Sequence, residues 1–163
     1  DTPERGGEAG FRALNIGPLY GLGNKIQEAF FAGLHAEYLE KKFLESEISL
    51  SLPRINDAEG HFKPYDPLTD RDFVRFVLAF RIFLPRIGIN VSTREKADFR
   101  DHLIPLGVTK FSAGSKTEVG GYSLENKSNP QFEISDSRTV PQIVSRIKEL
   151  KYQPVFKDWE LLS

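Results

Sequence analysis

Apolar stretches of two different periods alternate along the first 113 residues, and few folds accommodate that alternation. Phe11 to Leu19 is a short apolar run that closes on Gly17-Pro18, as a strand does. Asn24 to Leu44 carries Ile26, Phe30, Leu34 and Tyr38 at four-residue spacing, widened by Phe31, Leu39 and Phe43. This predicts a helix with that stripe turned to the core. Glu47 to Ile55 alternates strictly, with Ile48, Leu50 and Leu52 on one parity and Ser49 and Ser51 on the other. Thr69-Asp70-Arg71-Asp72 has the form of a capped helix start, followed by Phe73, Phe76, Val77, Phe80 and Leu84 on one face and a stop at Pro85. Gly88–Thr93 reads as a strand, Glu95–Leu103 as a short helix and Val108–Ala113 as a last strand. Strands alternating with helices imply a parallel α/β sheet with right-handed crossovers. Four strands without a closing partner suggest half of a (β/α) barrel or a small open sheet.

The chain divides at residue 113. Residues 1–113 form the alternating unit. Residues 114–163 form an extension that we expect to pack on the same domain. It comprises a Gly/Ser/Asn-rich loop to Pro130, a short strand at Gln131–Ser135, a helix opened by Thr139-Val140-Pro141-Gln142, and an aromatic tail of Tyr152, Val155, Phe156 and Trp159.

Composition removes several function classes. Net charge is −1, which gives no footing for nucleic acid or an anionic membrane. The most apolar run, Phe73 to Leu84, is cut by Arg75 and Arg81 and falls short of a membrane span. The first residues lack the basic and apolar regions of a secretory leader, so a cytoplasmic protein is expected. There is no cysteine, which excludes disulfides, thiolate metal sites and thiol nucleophiles. His35, His61 and His102 are too scattered to suggest a zinc site, and no metal-ligating residues are assigned.

The strand parities point to where a ligand binds. Ser49 and Ser51 share a side in one strand; Asn90, Ser92 and Arg94 share a side in the next. A barrel built only for stability fills its lumen with branched apolar side chains. Polar groups buried there need partners, and a polar ligand would supply them. Both strands finish in an arginine, Arg54 and Arg94, at the rim where parallel α/β folds hold ligands. The guanidinium of Arg94 offers a planar fork that matches a carboxylate. Ser112, which closes the following strand, is placed to hold the same carboxylate or a neighbouring amine. Arg54 is a candidate for a second anionic group, and Gly17 for close approach of a ligand to backbone. Each has a plainer reading: Arg94 paired with Glu95 or Asp98, Ser112 opening a turn, Arg54 in a rim salt bridge, Gly17 in a tight turn.

Six segments, in order, resemble a known family. They are Ile16-Gly17-Pro18-Leu19-Tyr20-Gly21-Leu22, Ser49-Leu50-Ser51-Leu52-Pro53-Arg54, Ser92-Thr93-Arg94-Glu95, Phe99-Arg100-Asp101, Ser112-Ala113-Gly114-Ser115 and Gln131-Phe132-Glu133-Ile134-Ser135-Asp136. Together they are similar to the C-terminal half of the 2-iminoacetate synthases, radical S-adenosylmethionine tyrosine lyases of thiamine biosynthesis. The resemblance implies strands 5–8 of a (β/α)8 TIM-type barrel. It implies cleavage of the tyrosine Cα–Cβ bond to 2-iminoacetate and p-cresol, with S-adenosylmethionine and a [4Fe–4S] cluster as cofactors. Tyrosine would be held by Arg94 and Ser112, with Ser92 and Ser51 on the same lumen face. S-adenosylmethionine would lie by Gly17 and Leu19, with Arg54 facing cofactor or substrate. The cluster's CxxxCxxC loop belongs to the first half of such barrels, so this cysteine-free chain would not bind the cluster and would be inactive alone. Implied partners are L-tyrosine, the missing N-terminal half of the barrel and the thiazole synthase. Two other readings are a half-barrel that binds a phosphorylated ligand at Ser112–Thr117, and an assembly module for a thiazole-synthesis partner.

Overall fold

The computed structural model describes residues 1–55, 62–117 and 134–156. Four strands, β1 (Ala13–Ile16), β2 (Glu47–Ser51), β3 (Gly88–Val91) and β4 (Lys110–Phe111), form one parallel sheet in the order β1-β2-β3-β4. The helices are α1 (Thr2–Glu8), α2 (Lys25–Lys42), α3 (Asp70–Phe83), α4 (Ala97–Leu103) and α5 (Val140–Glu149), with a 3-10 turn at Ile104–Leu106. The parallel α/β architecture expected from the alternation is therefore present.

Register puts Ile16, Leu50 and Ile89 in one row and Asn15, Ser49 and Gly88 in the next. The apolar rows join the core beneath the helices, with Leu14, Ile48 and Val91 also buried. The expected parity of β2 and β3 is thus the observed one.

Helix α3 forms as its residues dictate. The Thr69 hydroxyl caps it by accepting the Asp72 amide at 3.2 Å. Phe73, Phe76, Val77 and Phe80 are buried, as is Leu84 just beyond its end.

Helix α2 corrects an expectation. Its start is right, with Asn24 capping the Ile26 and Gln27 amides, but of the expected stripe only Leu39 and the partly buried Phe43 reach the core. The stripe of Ile26, Phe30, Phe31, Leu34 and Tyr38 faces outward, with Phe30 60% exposed and Phe31 64%. The core-facing side is Ala29, Ala32, Gly33, Ala36 and Leu39. Small residues there let α2 approach α3, where a Cβ added at Gly33 would meet the Phe80 ring at 3.3 Å and the Phe83 ring at 3.7 Å. Steric fit against those large rings selects the small face for burial.

The strands and helices α2 and α4 are shorter than the segments that announce them, and α1 has no counterpart among the expected elements. Of the strand expected at Gln131–Ser135, residues 131–133 lie outside the described residues and Ile134 and Ser135 are not in a strand. The described part of the aromatic tail is open to solvent. Tyr152, Val155 and Phe156 are 45%, 69% and 69% exposed; they stand around a cleft and do not fill it. Trp159 and His61 lie outside the described residues.

Candidate functional site

The face of the sheet turned away from the core helices is polar and hydrogen-bonded to itself. Asn15 is its hub. Its Oδ1 accepts from the Ser49 hydroxyl at 3.0 Å and from the Asn90 Nδ2 at 2.9 Å, and its Nδ2 donates to the Ser51 hydroxyl at 3.2 Å. Further down the strands, the Lys110 ammonium reaches the Glu47 carboxylate at 2.5 Å. It passes over Gly88, where a Cβ would stand 2.9 Å from the Ser49 Cβ and 3.5 Å from the Lys110 Cε. Glu47, Asn90, Lys110 and Ser112 line a cleft of about 850 Å3 that continues to Ile143 and Ile147 of α5. A second, smaller cleft of about 450 Å3 runs along β1, between Asn15 on the strand and Gly17 just past it on one side and Phe31 and His35 of α2 on the other.

At the carboxyl ends of the strands the anticipated residues are differently placed. Register sets Val91 beside Phe111, so Ser92 and Ser112 follow side by side. Ser112 is exposed and its amide donates to the Val91 carbonyl at 3.2 Å. Arg94 lies in the turn after β3 and is half-buried. Burial pushes its guanidinium below the ordinary arginine value, and the Glu95 carboxylate opposes that shift. Its backbone amide approaches the Ser92 hydroxyl at 3.4 Å. Leu19 is 38% exposed at the end of β1.

Gly17 meets protein backbone. A Cβ there would sit 2.1 Å from the Ser51 carbonyl oxygen and 2.7 Å from its hydroxyl oxygen. The close crossing of the two chain segments suffices to require glycine.

Arg54 is committed within the protein. Its Nε donates to the buried Glu95 at 3.0 Å and its Nη2 to the other Glu95 oxygen. Its Nη1 donates to the Leu68 carbonyl at 3.0 Å and pairs with Asp70 at 2.7 Å. The Phe73 and Phe99 rings flank it, with its Cζ 5.7 and 5.3 Å from their centroids. This is the salt-bridge reading rather than a group aimed at a ligand. By fixing Glu95, Arg54 steadies the turn that carries Arg94.

A second buried network holds the rim, and residue-by-residue reading of the sequence did not anticipate it. Arg100 and Asp136 are fully buried and paired, and Arg100 also donates to the Ser112 carbonyl. Its guanidinium stacks 5.1 Å from the Phe111 centroid. Arg138 donates to Asp136 at 2.9 and 2.8 Å and to Asp101 at 2.9 Å, and Arg146 reaches Asp101 at 2.8 Å. The Ser135 and Asp136 amides both donate to the Thr93 carbonyl. Burial raises the Asp136 carboxyl, but Arg138 and Arg100 outweigh it and leave the group below its ordinary value. These contacts tie the segment before α5 to the turns bearing Arg94 and Ser112. The signal available in the sequence was that Phe99-Arg100-Asp101 and Asp136 stand within the segments that carry the family resemblance.

Among the described residues no group of three or more His, Asp or Glu is arranged to hold a metal ion. Nor, among them, is any helix long and apolar enough to cross a membrane.

Comparisons with known proteins agree with this layout. Residues 51–153 match the family described as the Biotin and Thiamin Synthesis associated domain. The chain is 34% identical over 161 residues to the 2-iminoacetate synthases of Salmonella typhimurium and Escherichia coli. The alignment covers 98% of this chain but 43% of each relative, so the chain spans less than half their length. A crystal structure of HydG, a maturase of the [FeFe]-hydrogenase, superposes with a TM-score of 0.83 at 37% identity, over 95% of this chain and 34% of that one. The Carboxydothermus hydrogenoformans HydG superposes at 0.80 with 34% identity, over 96% of this chain and 36% of that one.

Proposed function

We propose a function from the premise that this chain belongs to the Biotin and Thiamin Synthesis associated domain family: it is the substrate-side half of a tyrosine lyase of the 2-iminoacetate synthase type. The observation that carries the proposal is the polar sheet face centred on Asn15. Such a face, unsuited to a stability-only core, fits the lumen of a (β/α)8 barrel of which β1–β4 are strands 5–8. The two clefts support it. Each lies between an edge strand and the apolar side of a helix, the groove a further parallel strand would fill.

In this reading residues 1–113 are the half barrel, and the segment around Asp136 is a strap that fixes its rim. Arg94 binds the tyrosine carboxylate through its fork, and Ser112 and Ser92, side by side on the neighbouring strands, hold the amino-acid end with it. Ser51 contributes to the wall below. Gly17 and Leu19 would border S-adenosylmethionine, with the role of Arg54 confined to holding the Glu95 turn in place. The cofactors of such a lyase supply hydrogen-atom abstraction. The cysteines for a [4Fe–4S] cluster have to come from outside this chain, which has none. The products are 2-iminoacetate and p-cresol. The thiazole synthase is the partner proposed to receive the imine, in the cytoplasm.

The experiment is a chimera in which this chain replaces the corresponding part of the Salmonella typhimurium 2-iminoacetate synthase. Release of p-cresol from L-tyrosine is expected. Arg94→Ala should weaken tyrosine binding by roughly 30-fold or more, on the scale of a lost charge-assisted pair of hydrogen bonds. Unchanged tyrosine affinity in a folded Arg94→Ala chimera would remove Arg94 from the site.

A further inference from the structure

We infer that Asn90 is the residue that distinguishes tyrosine from phenylalanine, by accepting a hydrogen bond from the substrate's phenolic hydroxyl. The inference rests on the tyrosine-lyase reading above and adds a residue to which that reading gave no role.

The geometry begins with the orientation of one amide. Asn15 Oδ1 receives two donors, the Ser49 hydroxyl and the Asn90 Nδ2. Ser49 and Asn90 stand on two successive strands, and Asn15 is held from its other side by Ser51. Turning the Asn90 amide over would set two carbonyl oxygens against each other. With Nδ2 engaged by Asn15, the Asn90 Oδ1 is turned away from the hub, and Asn90 is half-buried on the polar sheet face that the lyase reading makes the lumen wall. An amide oxygen accepts and cannot donate, so it suits a hydroxyl or ammonium.

Depth then selects between those two donors. Asn90 lies two residues before Ser92 on the same face of β3, and Ser92 stands beside Ser112. Two residues of parallel strand span about 6.6 Å. That is close to the distance from the Cα of a tyrosine to its phenol oxygen. An amino acid whose carboxylate and amine are held at the rim by Arg94, Ser92 and Ser112 therefore brings its phenol, not its amine, to the level of Asn90. Ser51 shares that level by register, but its hydroxyl is taken up by Asn15 and by the Ile16 carbonyl. A site built to hydrogen-bond a substrate hydroxyl rejects the analogue that lacks it far more strongly than a merely apolar pocket can. Asn15 is in this scheme a positioning residue, since it acts only through Asn90.

The test measures equilibrium binding of L-tyrosine and L-phenylalanine to the chimera and its variants by calorimetry. The unsubstituted protein is expected to prefer tyrosine by at least about tenfold. Asn90→Leu should bring the two affinities together by weakening tyrosine while leaving phenylalanine unchanged. 4-Fluoro-L-phenylalanine, close to tyrosine in size at that position but with no proton to donate, should bind the unsubstituted protein about as weakly as phenylalanine, a readout that does not depend on the folding of the leucine variant. A preference for tyrosine that survives in folded Asn90→Leu overturns this inference and leaves the lyase reading standing. Binding of 4-fluoro-L-phenylalanine as tightly as tyrosine would show that a donated proton is not what is read, and overturns it too. Binding of neither amino acid by the unsubstituted chimera overturns the lyase reading itself.

Discussion

Arg100 has no exposed surface, yet it carries a full charge between the Asp136 carboxylate and the Ser112 carbonyl. Removing one partner of such a pair leaves the other charged and dry. Asp136→Ala should therefore destabilise the chain by about 3–5 kcal/mol in urea unfolding, against less than about 1 kcal/mol for an exposed pair such as Lys41–Glu37. A pH dependence follows from the same residue. Its carboxyl sits below the ordinary value of 3.8 in the folded protein, so its contribution is complete above that value. It is lost as pH falls from there through the lowered native value. Urea midpoints measured between pH 7 and pH 2.5 should show this loss for the native chain. The part due to this carboxyl should be absent from Asp136→Ala. At this scale the sequence was least legible. Arg100 and Asp136 are 36 residues apart, and nothing in the local pattern of either marks it as buried. The hub role of Asn15 was equally hidden, because its partners lie on two other strands. The positions of Ser92 and Arg94 after β3 and of Ser112 after β4 were legible, because a strand end is a local signal.

Helix α2 shows the same limit one scale up. Both of its faces are apolar at helical period, one in large residues and one in small. Periodicity finds such stripes but does not say which one is inside. The decision belongs to volume, since alanines and Gly33 fit against the rings of α3 where phenylalanines would not. Ala36→Leu should accordingly overpack the core and cost about 1–3 kcal/mol. Phe30→Gln should change stability by no more than about 0.5 kcal/mol while reducing dye binding to the exposed stripe. The reverse ranking would mean that the outward stripe is the buried one. In helix α3 the face bearing Phe73, Phe76 and Phe80 is the one that became core, while Leu78 and Ile82 stand exposed on the other side.

For the whole molecule, the alternation of periods was enough to specify a parallel α/β sheet, because each strand–helix crossover leaves its mark in sequence order. Closure leaves no such mark. Whether four strands stand open or form half a ring depends on residues beyond both edges. The observed sheet has β1 and β4 at its edges, a polar face opposite the helices and a groove beside each edge. The proposal that joins these features is a barrel lumen whose other wall would come from the part of the relatives this chain does not span. Hydrogen–deuterium exchange of residues 13–16 and 110–112 tests it, comparing the chain alone with the chimera. The account predicts fast exchange of the outward-facing amides in the isolated chain and protection by at least about a hundredfold once the remaining strands are present. Edge amides that exchange equally fast in a folded chimera would contradict it.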